Sequence, residues 1–327
     1  MMHIPLQPIL YPTTVFLVDD NQSYQHMLRR TLPESCLGCF FASPARALDH
    51  LLERQRLVQS AEFDLSAAVQ RMENRDPSCD TSGTLGYDVL LEDGRFDQVS
   101  AIVVDYHMPE MNGLELLAAM REFDCTKILL TGVADEALAV DAFNAGIVDQ
   151  YIKKTDNQFV TKLKRALDLA QARHCASRGL AALNDMGKTY RDKRVQAGIS
   201  HVVAREHIAE FYWRAEPNAL LMFSYSGAVS VFVAWDEEDW AFQCDVANDA
   251  GAPRAFCDKM AARKIMPIFW PERAYSANAR SVPAVMPQPI DHWPGAHYGW
   301  SPIESTPHLH NVTSFYERFR QVRSVQR

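Results

Sequence analysis

Short runs of apolar residues alternate with helical patterns through the first half of the chain. Two of these runs, 15–18 and 101–104, are rich in β-branched residues and end directly in aspartate, at Asp19 and Asp105. Runs of this kind predict buried parallel strands, and their alternation with helices predicts an α/β fold with a doubly wound sheet. Ligands bind at the carboxyl ends of the strands in such sheets, so we expect the two aspartates to lie close together.

The predicted strand ends carry a cluster of acids. Asp20 follows Asp19 directly, so three carboxylates converge when Asp105 is included. Crowded carboxylates repel one another unless a cation neutralises them, and hard cations such as Mg²⁺ prefer oxygen ligands. The pattern therefore indicates a metal-dependent site.

Two later strand ends supply further polar residues. The run 127–132 contains Thr131, and the run 148–154 contains Tyr151 and Lys154. With the acid cluster, and with the Met-Pro and Asn-Gly pairs that follow Asp105, these motifs resemble the receiver domain of two-component response regulators. The resemblance implies a five-stranded parallel sheet of the flavodoxin-like type.

The resemblance also implies a phosphorylation site. Asp105 would accept a phosphoryl group from a histidine kinase or a phosphotransfer protein. Asp20 would bind Mg²⁺ directly, Asp19 directly or through water, and the backbone carbonyl of His107 would complete the protein's share of ligands. Phosphoryl transfer depends mainly on positioning and charge compensation, which a metal ion and a nearby lysine supply.

Three residues would respond to the phosphoryl group. Lys154 would pair first with the acid cluster and then with a phosphate oxygen. Thr131 would hydrogen-bond the phosphoryl group, and Tyr151 would follow by turning inward, which makes a two-state switch. Thr155 stands where the family usually has proline, which puts the local loop geometry in question but leaves the charge chemistry unchanged.

The spacing of the motifs defines the expected domains. Asp20 and Asp105 are 85 positions apart, whereas the intervening elements need roughly 45 residues, so about 40 are inserted. We expect a receiver domain over 1–155 with the insertion at about 56–98, including a hairpin around Asp93-Gly94. A surface insertion and a partner or dimer contact are both open for it. A long connector helix is expected over 156–195, interrupted only at two glycines, and it leaves pairing with a second copy open.

The part of the chain from 196 to 327 has a different composition and contains all six tryptophans. Its pattern predicts an α+β output domain with an antiparallel meander. The expected helices and strands follow in order: a helix near 204–213, strands over 219–225, 229–235 and 240–245, a helix near 253–264, a strand over 265–270, a mostly irregular stretch over 271–307 and a final helix over 313–325.

The function of this output domain is open between three classes. Its twelve Lys and Arg against fourteen Asp and Glu argue against DNA, and no basic recognition helix is evident. The segment 235–240 looks like the acidic hairpin turn of diguanylate cyclase domains, but Trp235 replaces part of a glycine pair and would block substrate. We therefore expect an output that binds a protein or a small ligand rather than an enzyme. A DNA-binding transcriptional regulator and a degenerate, nucleotide-binding cyclase-like output are the alternatives.

Composition narrows the cellular setting. The chain of 327 residues is 47% hydrophobic and 23% charged with a net charge of −8, which is typical of a globular protein. No apolar run has the length of a membrane span, and the N-terminus lacks a signal-peptide pattern. Seven cysteines without paired spacing indicate a reducing compartment. We expect a cytoplasmic protein without membrane contact.

Overall fold

The chain forms two compact units in the computed structural model. The structure describes residues 7–56, 89–92, 94–132, 136–215, 218–268, 283–304, 309 and 312–319. Among these, the parallel-sheet unit contains residues 11–56 and 94–177, and the antiparallel-sheet unit contains residues 7–10, 89–92 and those from 178 onward. Each unit has its own sheet and its own hydrophobic core.

The parallel-sheet unit contains a five-stranded sheet. Its strands are β2 (Thr13–Val18), β3 (Cys36–Phe41), β4 (Val99–Asp105), β5 (Thr126–Thr131) and β6 (Gln150–Lys153). They pair in the order β3-β2-β4-β5-β6, and every pair is parallel. The expected flavodoxin-like receiver fold is therefore confirmed.

Helices cover both faces of this sheet. They are α1 (Gln22–Thr31), α2 (44–56), α3 (Gly113–Ala119), α4 (Glu136–Asn144) and α5 (Phe159–Asp185). Because side chains alternate along a strand, β2 sends Val15 and Leu17 to the core shared with α1 and α5. It sends Phe16 and Val18 to the core shared with α2, α3 and α4. The strands are buried on both faces, which explains their continuous apolar runs.

The antiparallel-sheet unit is α+β, as expected. Its six-stranded sheet has the order β1-β7-β8-β9-β13-β12. The strands are β1 (Ile9–Leu10), β7 (Ile208–Arg214), β8 (Ala219–Ser224), β9 (Val229–Trp235), β12 (Gln288–Pro289) and β13 (His297–Pro302), and a separate ribbon joins β10 (Met266–Pro267) to β11 (Ala284–Val285). The helices are α6 (Lys188–Arg191), α7 (Lys193–Arg205), α8 (Glu237–Asp249) and α9 (Arg254–Ala261), and 315–319 form a final helical turn.

Several element predictions for this unit are wrong. The helix expected near 204–213 ends at Arg205, and the rest of that segment is strand β7. The strand expected over 240–245 lies inside helix α8, because the side chain of Asp236 caps the helix by accepting from the N–H groups of Glu238 and Asp239. The segment 235–240 is consequently not a hairpin turn. The stretch 271–307, which was expected to be mostly irregular, contains β13, and this strand pairs with β9 over six residues.

The long helix differs from its prediction at Gly179 and agrees with it at Gly187, where an interruption was expected. Helix α5 continues through Gly179 and ends before Gly187. A Cβ at position 179 would lie 2.8 Å from Cγ of Pro8, so glycine allows the N-terminal segment to approach the helix. In this segment Ile9 pairs with Tyr212 of β7.

The two compact units do not follow the expected domain boundaries at the start of the chain. The N-terminal strand β1 belongs to the antiparallel-sheet unit instead of the receiver. Residues 57–88 of the expected insertion, and Asp93 of the expected hairpin, lie outside the described residues. Around the predicted hairpin, 89–90 are helical and Arg95–Asp97 form a 3₁₀ turn, so these residues are not strands. Within the described residues, no helix combines the length and apolarity needed to cross a bilayer.

Candidate functional site

The carboxyl ends of the parallel strands bring the predicted site residues together. Asp19 follows β2, Asp105 ends β4, and Lys154 follows β6. Nζ of Lys154 lies 2.8 Å from Oδ2 of Asp19 and 2.7 Å from Oδ2 of Asp105. One carboxylate oxygen each from Asp19, Asp20 and Asp105 lies within 4.8 Å of the other two. The lysine therefore bridges two acids of a three-acid cluster.

The turn between β2 and α1 fixes the acidic pair. Asp19 is fully buried, and its Oδ1 accepts a hydrogen bond from the backbone N–H of Asn21 at 2.9 Å. Nε2 of Gln25 donates to the backbone carbonyl of Asp19 at 2.6 Å. The side chain of Asn21 in turn caps α1 by accepting from the N–H of Tyr24. Asp20 is exposed, so one acid is anchored inside the protein and the next is open to solvent.

Close packing fixes Asp105 from the other side. Asp105 is only 7% exposed. The N–H of Gly113, the first residue of α3, donates to the carbonyl of Tyr106, and Tyr106 donates to the carbonyl of Leu130. A Cβ at Gly113 would lie 2.3 Å from the backbone oxygen of Asp105. Glycine is therefore required where α3 begins, since any side chain would push the helix away from Asp105.

Burial and charge act in opposite directions on Asp105. Loss of solvation raises the pKa of its carboxyl, the hydrogen bond and charge of Lys154 lower it, and the charge of Asp19 raises it. A backbone hydrogen bond from His107 also favours the charged form. The two buried carboxylates therefore share a single ammonium group as their counter-ion. An additional cation would stabilise the ionised cluster.

The donors of the cluster fit Mg²⁺. They are carboxylate oxygens, the hard ligands that this ion prefers, and the exposed Asp20 gives access from solvent. His107 lies in the loop directly after β4 and is exposed. It follows Asp105 by two residues in the sequence, and its role as a backbone ligand stays a prediction.

The two predicted switch residues lie in different settings. Thr131 ends β5 and is fully buried, and its hydroxyl oxygen has no hydrogen-bond partner among the described residues. Its backbone carbonyl accepts from the N–H of Lys154 at 2.9 Å. Tyr151 is half-buried on β6 and packs against the core shared with α2, α3 and α4. A buried hydroxyl without a partner beside the acid cluster fits a group that receives a ligand atom.

One residue of the site was not predicted. The ring of Tyr24 lies under the ammonium group of Lys154, with Nζ 4.2 Å from the ring centroid. Tyr24 stands one helical turn after Asp20 in α1, so its spacing from the acidic pair was the available signal. Burial, and then the charges of Asp19 and Asp105, raise the pKa of its hydroxyl.

Comparisons with known proteins agree with this geometry. Residues 76–164 match the family model of the response regulator receiver domain, a range that includes β4, β5 and β6. No curated protein matches the chain. The chain is similar to the solved structure of the Legionella pneumophila response regulator LqsR, with 23% identity, a TM-score of 0.74, and coverage of 98% of this chain and 97% of that one. At this identity the likeness shows the fold alone.

Two shorter structures also align with about half of the chain. An adenylate cyclase from Rhodopirellula baltica has 22% identity and a TM-score of 0.33, covering 51% of this chain and 94% of that one. A response regulator receiver domain protein from Clostridium thermocellum has 16% identity and a TM-score of 0.32, covering 50% and 96%. These two low scores establish nothing further about this chain. The family match and the parallel sheet together show that the chain contains a response regulator receiver domain.

Proposed function

We propose that the chain is a two-component response regulator that is phosphorylated on Asp105 in a Mg²⁺-dependent reaction. The antiparallel-sheet unit serves as its output and binds a protein or a small ligand. The observation that carries the proposal is the position of Lys154, whose ammonium group contacts both Asp19 and Asp105. The donor is a histidine kinase or a phosphotransfer protein, as the resemblance implies.

The residues of the site divide the work of phosphoryl transfer. A carboxylate oxygen of Asp105 attacks phosphorus, the new P–O bond forms, and the P–N bond to the donor imidazole breaks. Lys154 exchanges its ion pair with the carboxylate for one with a phosphate oxygen, because its ammonium group already contacts Oδ2 of Asp105. Asp19, Asp20, Asp105 and the backbone carbonyl of His107 would hold Mg²⁺, which would supply positive charge for the phosphoryl oxygens.

The phosphoryl group changes the hydrogen bonding at the sheet edge. The hydroxyl of Thr131, which has no partner among the described residues, gains an acceptor when Asp105 is phosphorylated. A shift of Thr131 toward that acceptor opens space near β6, and Tyr151 turns inward. New charge at one site thereby biases a packing equilibrium, which is how phosphorylation switches generally work.

Acetyl phosphate tests the phosphorylation site in the full chain. With Mg²⁺ it should add one phosphoryl group to the wild type, detected by intact mass, and none to Asp105→Asn. Asp141→Asn is the matched control, because Asp141 is an exposed carboxylate on α4, and it should be labelled like the wild type. Asp20→Asn should reduce labelling at limiting Mg²⁺. Equal labelling of Asp105→Asn and wild type would exclude Asp105 as the acceptor.

Charge pairing supports a protein or ligand output over a DNA-binding one. Helix α7 contains Arg194 and Arg205, but these arginines pair with Asp192 and Glu206 respectively. DNA binding by basic residues falls steeply with salt. We expect the phosphorylated full chain to show no DNA affinity with such a salt dependence in a titration between low and physiological salt. A steep slope would favour the transcription-factor alternative.

A further inference from the structure

Tyr24 occupies a fixed place beside the acid cluster. Its ring lies 4.2 Å from Nζ of Lys154, the atom that contacts both Asp19 and Asp105. The ring of Phe159 meets it edge to face, with the centroids 5.9 Å apart and an angle of 65° between the planes. A cation on one side and an aromatic edge on the other restrict the orientation of the Tyr24 ring.

The hydroxyl of Tyr24 is buried and has no hydrogen-bond partner among the described residues. In the described part of the parallel-sheet unit, only two buried side-chain polar atoms lack a partner, namely this hydroxyl and that of Thr131. Both residues lie at the carboxyl edge of the sheet, where Asp105 lies. Buried polar groups are nearly always paired, so two unpaired hydroxyls at one site indicate an absent acceptor.

The electrostatics of Tyr24 agree with a donor role. Its pKa is raised, first by burial and then by the charges of Asp19 and Asp105. The phenol keeps its proton at neutral pH and can donate a hydrogen bond.

We propose that Tyr24 is an additional phosphoryl-binding residue, whose hydroxyl donates a hydrogen bond to a phosphoryl oxygen once Asp105 is phosphorylated. The ring keeps the hydroxyl in place through its contacts with Lys154 and Phe159. Phosphorylation adds three strong acceptor oxygens where the structure has an unpaired donor. This inference rests on the proposed function of Asp105.

Beryllium fluoride, which forms a tetrahedral phosphoryl mimic on carboxylates, measures this hydrogen bond at equilibrium. Its affinity for the full chain in Mg²⁺ is followed by fluorine NMR. Tyr24→Phe keeps the ring over which Lys154 lies and removes only the hydroxyl. Loss of one hydrogen bond to an anionic acceptor should weaken binding about tenfold, which corresponds to about 1.4 kcal/mol. The thermal midpoint without beryllium fluoride should stay near that of the wild type, because the hydroxyl makes no bond there.

Tyr11→Phe is the matched control. Its hydroxyl is also buried, but it already donates to Oε1 of Gln98 and lies before β2, at the opposite end of that strand from Asp19. This variant should bind beryllium fluoride like the wild type. Unchanged affinity in Tyr24→Phe, or an equal loss in Tyr11→Phe, overturns the inference. If the wild type itself shows no Asp105-dependent binding, the proposed function fails instead.

Discussion

Replacing Gly113 with alanine should destabilise the parallel-sheet unit, although the same change usually strengthens a helix. The added Cβ would lie 2.3 Å from the backbone oxygen of Asp105 and 3.1 Å from Cδ1 of Leu129. The Leu129 side chain can adjust, but the Asp105 oxygen belongs to the central strand β4. The backbone must therefore open by roughly 0.7 Å, from 2.3 Å to 3.0 Å, at the point where α3 begins.

The expected magnitude follows from two opposing effects. Overpacking of a rigid site costs about 1–3 kcal/mol. Alanine regains about 0.5–1 kcal/mol through its lower backbone entropy in the unfolded chain and its better helix propensity. The net loss is about 0–2.5 kcal/mol. At the centre of this range, about 1.3 kcal/mol, the midpoint of thermal unfolding should fall by roughly 3–5 °C for a unit of this size. The acceptor Asp105 should also be phosphorylated more slowly, because its position relative to Lys154 changes.

Calorimetry on the full chain is the assay, with Gly94→Ala as the control. Gly94 lies in the same unit at φ −83°, and a Cβ there would meet nothing within 4 Å. The control should therefore unfold at the wild-type temperature or slightly above it. A midpoint for Gly113→Ala at or above that of the wild type would refute the close-packing explanation.

Three further variants test the charges and the polar contacts. Lys154→Met leaves two buried carboxylates without their cation, so the free energy of unfolding should fall by about 3–5 kcal/mol without Mg²⁺. Added Mg²⁺ should stabilise this variant more than it stabilises the wild type. Thermal melts check both expectations, with a variant of an exposed lysine, Lys162→Met, as the control. Glu210→Ala removes the buried carboxylate that accepts the N–H of Phe315, so the turn 315–319 should exchange its amide hydrogens faster, and unchanged exchange would contradict that role. Burial raises the pKa of Asp239, so its contribution to stability is present below about pH 4 and lost as pH rises through the folded pKa. The stability of the wild type relative to Asp239→Asn, measured by thermal melts, should therefore fall as the pH rises. A difference in stability that does not change with pH would contradict this expectation.

The candidate site of the parallel-sheet unit could be predicted because its polar residues directly follow the apolar runs that form the strands. Asp19, Asp105 and Thr131 each stand at the end of an apolar run, and parallel strands place such ends at one edge of the sheet. Tyr24 was missed, since a tyrosine in a helical pattern gives no indication of which side chain will lie over its ring. The contact with Lys154 joins residues that are 130 positions apart.

The secondary structure of the antiparallel-sheet unit was harder to predict because its local sequence patterns fit both helices and strands. Strand β7 contains the charged Glu210, and its segment was predicted to be a helix. In the structure this carboxylate is fully buried and accepts from the hydroxyl of Tyr212 and the N–H of Phe315, 105 residues away. The apolar run after Trp240 suggested a strand, and the capping side chain of Asp236 decided for a helix. The Asp-x-x-Asp spacing was a readable helix-start signal.

The edge strand β1 has a consequence for how such a protein can be inherited and engineered. Ile9 and Leu10 pair with β7, so the antiparallel sheet takes a strand from the very stretch of sequence that precedes the receiver. A gene cut between the receiver and the region that follows would leave that sheet without its first strand. Recombination that exchanges output modules by joining segments end to end would therefore yield an incomplete sheet here. The two units are expected to be kept, lost or transferred together.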